Sequence, residues 1–111
     1  MKKVISVLAA ITMLCLPGIS FSAPFSQDIG KISTIFVSTN GDMAIILTGG
    51  FPNAVATNQC SGYKEYAGIS TTADPAFKSA LLAAKAAQQT VRVTVSGCLG
   101  GWFKILDVYI E

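Results

Sequence analysis

The chain has 111 residues, 51% of them hydrophobic, with eight basic and six acidic side chains and no histidine. That length allows one small domain. The lack of histidine removes Ser-His-Asp and Cys-His catalysis and histidine-bound zinc.

The first element reads as a secretory signal peptide. Lys2 and Lys3 precede the uncharged run from Val4 to Leu16, a Pro17-Gly18 break follows, and small residues lead to Ala23. The apolar run is shorter than the roughly 20 residues that span a bilayer, so no stable membrane anchor is expected after cleavage. Leu14, before Cys15, is too large for a lipoprotein signal. Cleavage is expected after Ser22 or Ala23, leaving residues 24–111 as a single domain of a secreted or periplasmic protein. Lys2 and Lys3 leave with the signal, so six basic side chains then face six acidic ones and the net charge is zero. A nucleic-acid partner, which needs a basic patch to neutralise phosphates, loses its main support.

Residues 24–27 read as a loose tail. Ile29 to Gly49 reads as a hairpin: Ile32, Ile35, Phe36 and Val37 form one strand, and Met43 to Thr48 returns. Asn40-Gly41 predicts a two-residue turn, which would set Val37 opposite Ala44, Phe36 opposite Ile45 and Ile35 opposite Ile46. Gly49 to Asn53 reads as a turn and Ala54 to Gln59 as a loop. Tyr63 to Ile69 reads as a short third strand.

Asp74-Pro75 is a helix start, with Asp as the N-cap and Pro at the first helical position. Ala76 to Gln89 lacks glycine, proline and β-branched residues, so helix propensity is high. Phe77, Ala80, Leu81, Ala84 and Ala87 make one apolar stripe. At Thr90 the period changes to two: Val91, Val93 and Val95 alternate with Arg92, Thr94 and Ser96, a half-buried strand. Leu99-Gly100-Gly101 turns the chain into a last strand, Trp102 to Ile110. The order is β-β-β-α-β-β, mostly β with one helix. It fits a small five-stranded OB-like barrel, with an open α+β sandwich as the rival.

Cys60 and Cys98 remain after signal removal, and an even pair in an oxidising compartment reads as a disulfide. A redox or metal pair is disfavoured, because there is no C-x-x-C and no histidine. No cofactor is implied. Asp42 reads as a turn residue. Asp28, Glu65 and Asp107 are the acids that a glycosidase would have to bring together. Three scattered acids read instead as solvated surface, so the chain reads as a non-enzyme. Gly97, Gly100 and Gly101 lack the lysine and helix of a phosphate loop. Phe51, Tyr63, Tyr66 and Trp102 are the candidate binding residues, since aromatic rings with wet edges suit sugars and peptides.

The run AFKSALLAAKAAQQTVRV, Ala76 to Val93, resembles the helix-plus-strand segment of the binding subunits of pentameric AB toxins of the subtilase-cytotoxin and typhoid-toxin type. Those subunits follow the helix with Gln-x-Val-Arg-Ile, matched here by Gln89, Val91, Arg92 and Val93. The segment is about a fifth of the chain. The resemblance implies an exported OB barrel that assembles into a ring of copies and binds glycan. The subunits' cysteine pairing does not map onto Cys60 and Cys98, and no binding residue is carried over. The function expected is an exported binding module for a glycan or protein ligand. The alternative is a periplasmic interaction or inhibitor protein working through a loop such as Gly49 to Asn58.

Overall fold

The computed structural model describes residues 24–111; the signal-peptide reading falls on residues outside those described. The element order is β1 (Ser26–Val37), β2 (Met43–Leu47), α1 (Pro52–Ala56), β3 (Ala67–Ile69), α2 (Pro75–Ala86), β4 (Thr90–Leu99) and β5 (Trp102–Ile110). The strands form a closed hydrogen-bonded ring in the order β1-β2-β3-β5-β4. All neighbours are antiparallel except β3 and β5, which are parallel. The fold is mostly β, as the alternating patterns predict, but it carries two helices rather than one.

β1 is long because it serves two neighbours. Residues Ser26 to Lys31 pair with β4, and Ile32 to Val37 pair with β2. An irregularity between Ile32 and Thr34 separates the two halves; such bulges bend and twist a strand. Residues 26 and 27 are therefore strand, not tail. The β1–β2 register is one residue off the sequence expectation: Val37 faces Met43, Phe36 faces Ala44 and Ile35 faces Ile45. The cause is the turn. Ser38 N–H donates to the Asp42 carbonyl at 2.9 Å and Gly41 N–H to the Ser38 carbonyl at 3.1 Å, with Gly41 at φ 92°. This is a three-residue loop ending in a left-handed glycine, which is a common alternative to the two-residue Asn-Gly turn.

α1 was expected to be loop. Its N-terminus is capped from a distant part of the chain: both oxygens of Asp28 accept backbone N–H groups, from Asn53 at 2.8 Å and from Ala54 at 3.1 Å. Pro52 at the first position needs no partner. The helix ends with Asn58 in the left-handed region, Asn58 N–H on the Val55 carbonyl and Gln59 N–H on the Ala54 carbonyl, a Schellman closure. α2 ends the same way, with Gln88 left-handed, Gln88 N–H on Lys85 and Gln89 N–H on Ala84. α2 begins as expected, with the Asp74 carboxylate accepting from Ala76 N–H at 2.8 Å. Leu81 and Ala84 of its stripe are fully buried, whereas Ala87 lies past the last turn and is exposed.

The core fills the ring. Ile32, Met43, Ile45 and Leu47 meet Val91, Val93, Val95, Phe103 and Ile105, with Phe51 from the start of α1 and Leu81 from α2. Phe103 is the centre of an edge-to-face group, 5.9 Å from Phe51 and 5.4 Å from Tyr63 between ring centroids. The third strand is only Ala67–Ile69, because the 60–66 segment is committed to other bonds. Tyr63 N–H donates to the Cys60 carbonyl at 2.9 Å, and the Tyr63 hydroxyl accepts from Tyr66 N–H at 2.8 Å.

Cys60 and Cys98 form the expected disulfide, with Cα atoms 5.0 Å apart. Cys98 lies within β4, opposite Phe103, rather than after it. Closing a loop of 38 residues' separation contributes about 4 kcal/mol in the chain-entropy model. Cys60→Ser and Cys98→Ser should each cost about 2–5 kcal/mol, with the double mutant little worse than either single one, since both remove the same bond. Thermal melts of the four proteins check this, and thiol titration should find no free Cys60 or Cys98 thiol. Asp28→Ala should cost about 2 kcal/mol, because two N–H groups lose a charged acceptor. Faster hydrogen exchange at Asn53 and Ala54 than in wild type is the local readout.

Candidate functional site

On the outside of the ring, one row of residues crosses four strands: Phe36, Ala44, Gly68 and Lys104 are successive partners. Ala44 and Gly68 are small, yet Ala44 has no exposed surface and Gly68 is buried. Aromatic rings cover this face. Trp102 is 5.6 Å from Phe36 and 5.9 Å from Tyr66 between centroids, and Phe36 is 6.3 Å from Tyr66. The Phe36 contacts are edge-on and the Tyr66–Trp102 pair is tilted, geometries that aromatic quadrupoles favour.

Each ring is placed by a different constraint. Phe36 points outward because Ile35 points in and the strand period is two. Tyr66 is fixed by its own backbone: its N–H is on the Tyr63 hydroxyl and its carbonyl accepts from Phe103 N–H at 3.1 Å. Trp102 opens β5 directly after the Gly100-Gly101 turn, opposite Leu99. Its ring lies against Gly68, where a Cβ would sit 2.6 Å from Trp102 Cε3. Only glycine permits that approach.

Trp102 also walls a groove of about 380 Å³ lined by Asp42, Ile69, Ser70, Thr71, Leu99, Gly100 and Gly101. Three segments converge there: the end of the β1–β2 loop, the end of β3, and the β4–β5 turn. The volume lies in the range of small-ligand sites. Its lining combines one carboxylate, two hydroxyl side chains, two glycines and an indole.

The four aromatic candidates separate. Tyr66 and Trp102 are half-buried and come together at this wall. Phe51 is 2% exposed and packs on Phe103 inside the ring, so it offers no face to a ligand. Tyr63 is half-buried with its ring against Phe103 and its hydroxyl accepting from Tyr66 N–H; it positions Tyr66. Phe36 and Asp42 join the site although sequence reasoning assigned Phe36 to a strand and Asp42 to a turn. The signal for Phe36 was the apolar residue on each face of the first hairpin strand. Of the three scattered acids, Asp28 has both oxygens on α1, while Glu65 and Asp107 are exposed. Among the described residues no cluster of three potential metal ligands occurs and no helix is long and apolar enough to cross a membrane.

Comparison with protein-family models, curated proteins and solved structures finds no match to this chain.

The seat of Trp102 is testable. Gly68→Ala should displace the indole and destabilise the protein by about 1–3 kcal/mol, the usual range for overpacking. Because the chain has one tryptophan, its emission maximum should shift in the folded mutant. An unchanged spectrum with unchanged stability would contradict the contact.

Proposed function

We propose that the protein is an exported binding module with an OB-like barrel, and that it recognises a glycan in the groove walled by Trp102. The observation that carries this reading is the aromatic wall on the outer face. Phe36 is 38% exposed and, with Tyr66 and Trp102, forms an apolar platform on the outer face, beside a groove carrying a carboxylate and hydroxyls. Sugars have apolar C–H faces that pack on such rings and a rim of hydroxyls that needs polar partners.

Two further points support it. An OB barrel binds oligosaccharides or oligonucleotides at its β1–β2 and β4–β5 loops and on the face of strands two and three. The groove lies between those two loops, and the aromatic platform covers β2 and β3. The equal numbers of acidic and basic side chains in residues 24–111 favour sugar over nucleic acid. The resemblance of Ala76–Val93 to AB-toxin binding subunits points the same way, and assembly into a ring rests on that resemblance alone. The disulfide suits an oxidising compartment, in keeping with export.

The rival reading, a protein-interaction surface on Gly49 to Asn58, draws less support. That segment is tied down as α1, with Phe51 and Ala54 buried.

A glycan array probed with the oxidised protein tests the reading. Specific hits should lose at least about tenfold in apparent affinity in Trp102→Ala, the order expected when a stacking ring is removed from a site. Hits insensitive to Trp102→Ala would move binding elsewhere on the surface.

A further inference from the structure

We propose that Asp42 sets the ligand class: the groove takes an uncharged sugar through neighbouring hydroxyls and rejects sugars that carry a carboxylate. This rests on the glycan reading of the groove.

Asp42 is the one charged side chain lining it. The side chain is held by the hairpin loop rather than free to swing. Asp42 N–H donates to Ser38 Oγ at 3.3 Å, and Ser38 Oγ donates to Asp42 Oδ2 at 3.4 Å. Ser38 N–H fixes the Asp42 carbonyl at 2.9 Å. Oδ1 makes no hydrogen bond to any described residue. The groove therefore presents an oriented carboxylate with one uncommitted oxygen.

An ionised carboxylate is an acceptor only, and it accepts strongly from hydroxyl groups. One sugar hydroxyl can donate to the open Oδ1 and its neighbour to Oδ2, whose second lone pair the Ser38 hydroxyl leaves free. The ring's apolar face then packs on Trp102, and the bare Gly100-Gly101 backbone leaves room for it. Thr71 supplies a hydroxyl that bonds either way. A ligand carboxylate in the same place would meet a like charge in a partly desolvated groove whose lining includes no lysine or arginine. Two lysines lie close by without lining it: Lys78 Nζ donates to the Thr71 carbonyl at 3.5 Å, and Lys104 lines an adjoining groove that shares Ile69 and Ser70 with this one.

The single tryptophan reports binding directly. The oxidised protein is titrated with methyl glycosides of neutral hexoses and N-acetylhexosamines, and with those of uronic and sialic acids, following Trp102 emission. Neutral sugars should give a saturable shift, and acidic ones should bind at least about tenfold more weakly. Asp42→Asn should weaken neutral binding at least about tenfold and narrow the gap between the classes. Ser38→Ala, which keeps the carboxylate but removes its tether, should retain the class preference. It serves as the second variant if Asp42→Asn lowers folding yield. Acidic sugars binding as well as neutral ones, with sensitivity to Trp102→Ala, would overturn the role of Asp42 and leave the glycan reading standing. No saturable response to any sugar would overturn both.

Discussion

The ring of strands closes through its shortest contact. β3 joins β5 by two residue pairs, Ala67 with Phe103 and Gly68 with Lys104. Backbone hydrogen bonds contribute only about 0.5–1.5 kcal/mol each once water is counted, so two parallel pairs cannot hold the ring shut by themselves. The disulfide crosses the same gap, joining the segment that leads into β3 to the β4 residue opposite Phe103. Its contribution of about 4 kcal/mol is a large part of the 5–15 kcal/mol typical of a whole domain. Tyr63 adds to the closure from inside, with its ring on Phe103 and its hydroxyl on Tyr66 N–H.

The candidate site is a consequence of that closure. Tyr66 sits between the disulfide and β3, and Trp102 begins the strand that β3 pairs with. Phe36 comes from the far side of β2. The three rings meet only because β1, β2, β3 and β5 lie side by side, and they pack close to the sheet because Ala44 and Gly68 have almost no side chain. The interior and exterior of the ring thus each carry an aromatic group, and β5 supplies one residue to each: Phe103 inward and Trp102 outward. The period of two that fills the core also builds the outer wall.

The site was half legible. Tyr66 and Trp102 could be singled out because aromatic rings, in a chain with few charges, suit a binding surface. Phe51 and Tyr63 share that description but pack inward, since nothing local separates an aromatic that covers the core from one that faces water. Phe36 and Asp42 were hidden by plausible local duties, one as a strand residue and one as a turn residue. Asp42 does serve the turn; it also lines the groove only because three separate segments converge there.

The sequence by itself determined what depends on near neighbours. The Asp74-Pro75 start, the alanine-rich helix, the alternation of Val91, Val93 and Val95, and the Gly100-Gly101 turn all rest on forces that act within a few residues. The cysteine pairing also followed from counting, because only two cysteines remain after residue 23. Tertiary structure decided the rest. α1 exists because Asp28, more than 20 residues earlier, caps it, and a helix of five residues is too short to form on propensity alone. β1 extends back to Ser26 because β4 is there to pair with it, and β3 is cut short because Tyr63 and Tyr66 bond elsewhere. The first hairpin's register turned on one extra loop residue, a choice between two turns of similar local preference that the packing of the ring settled.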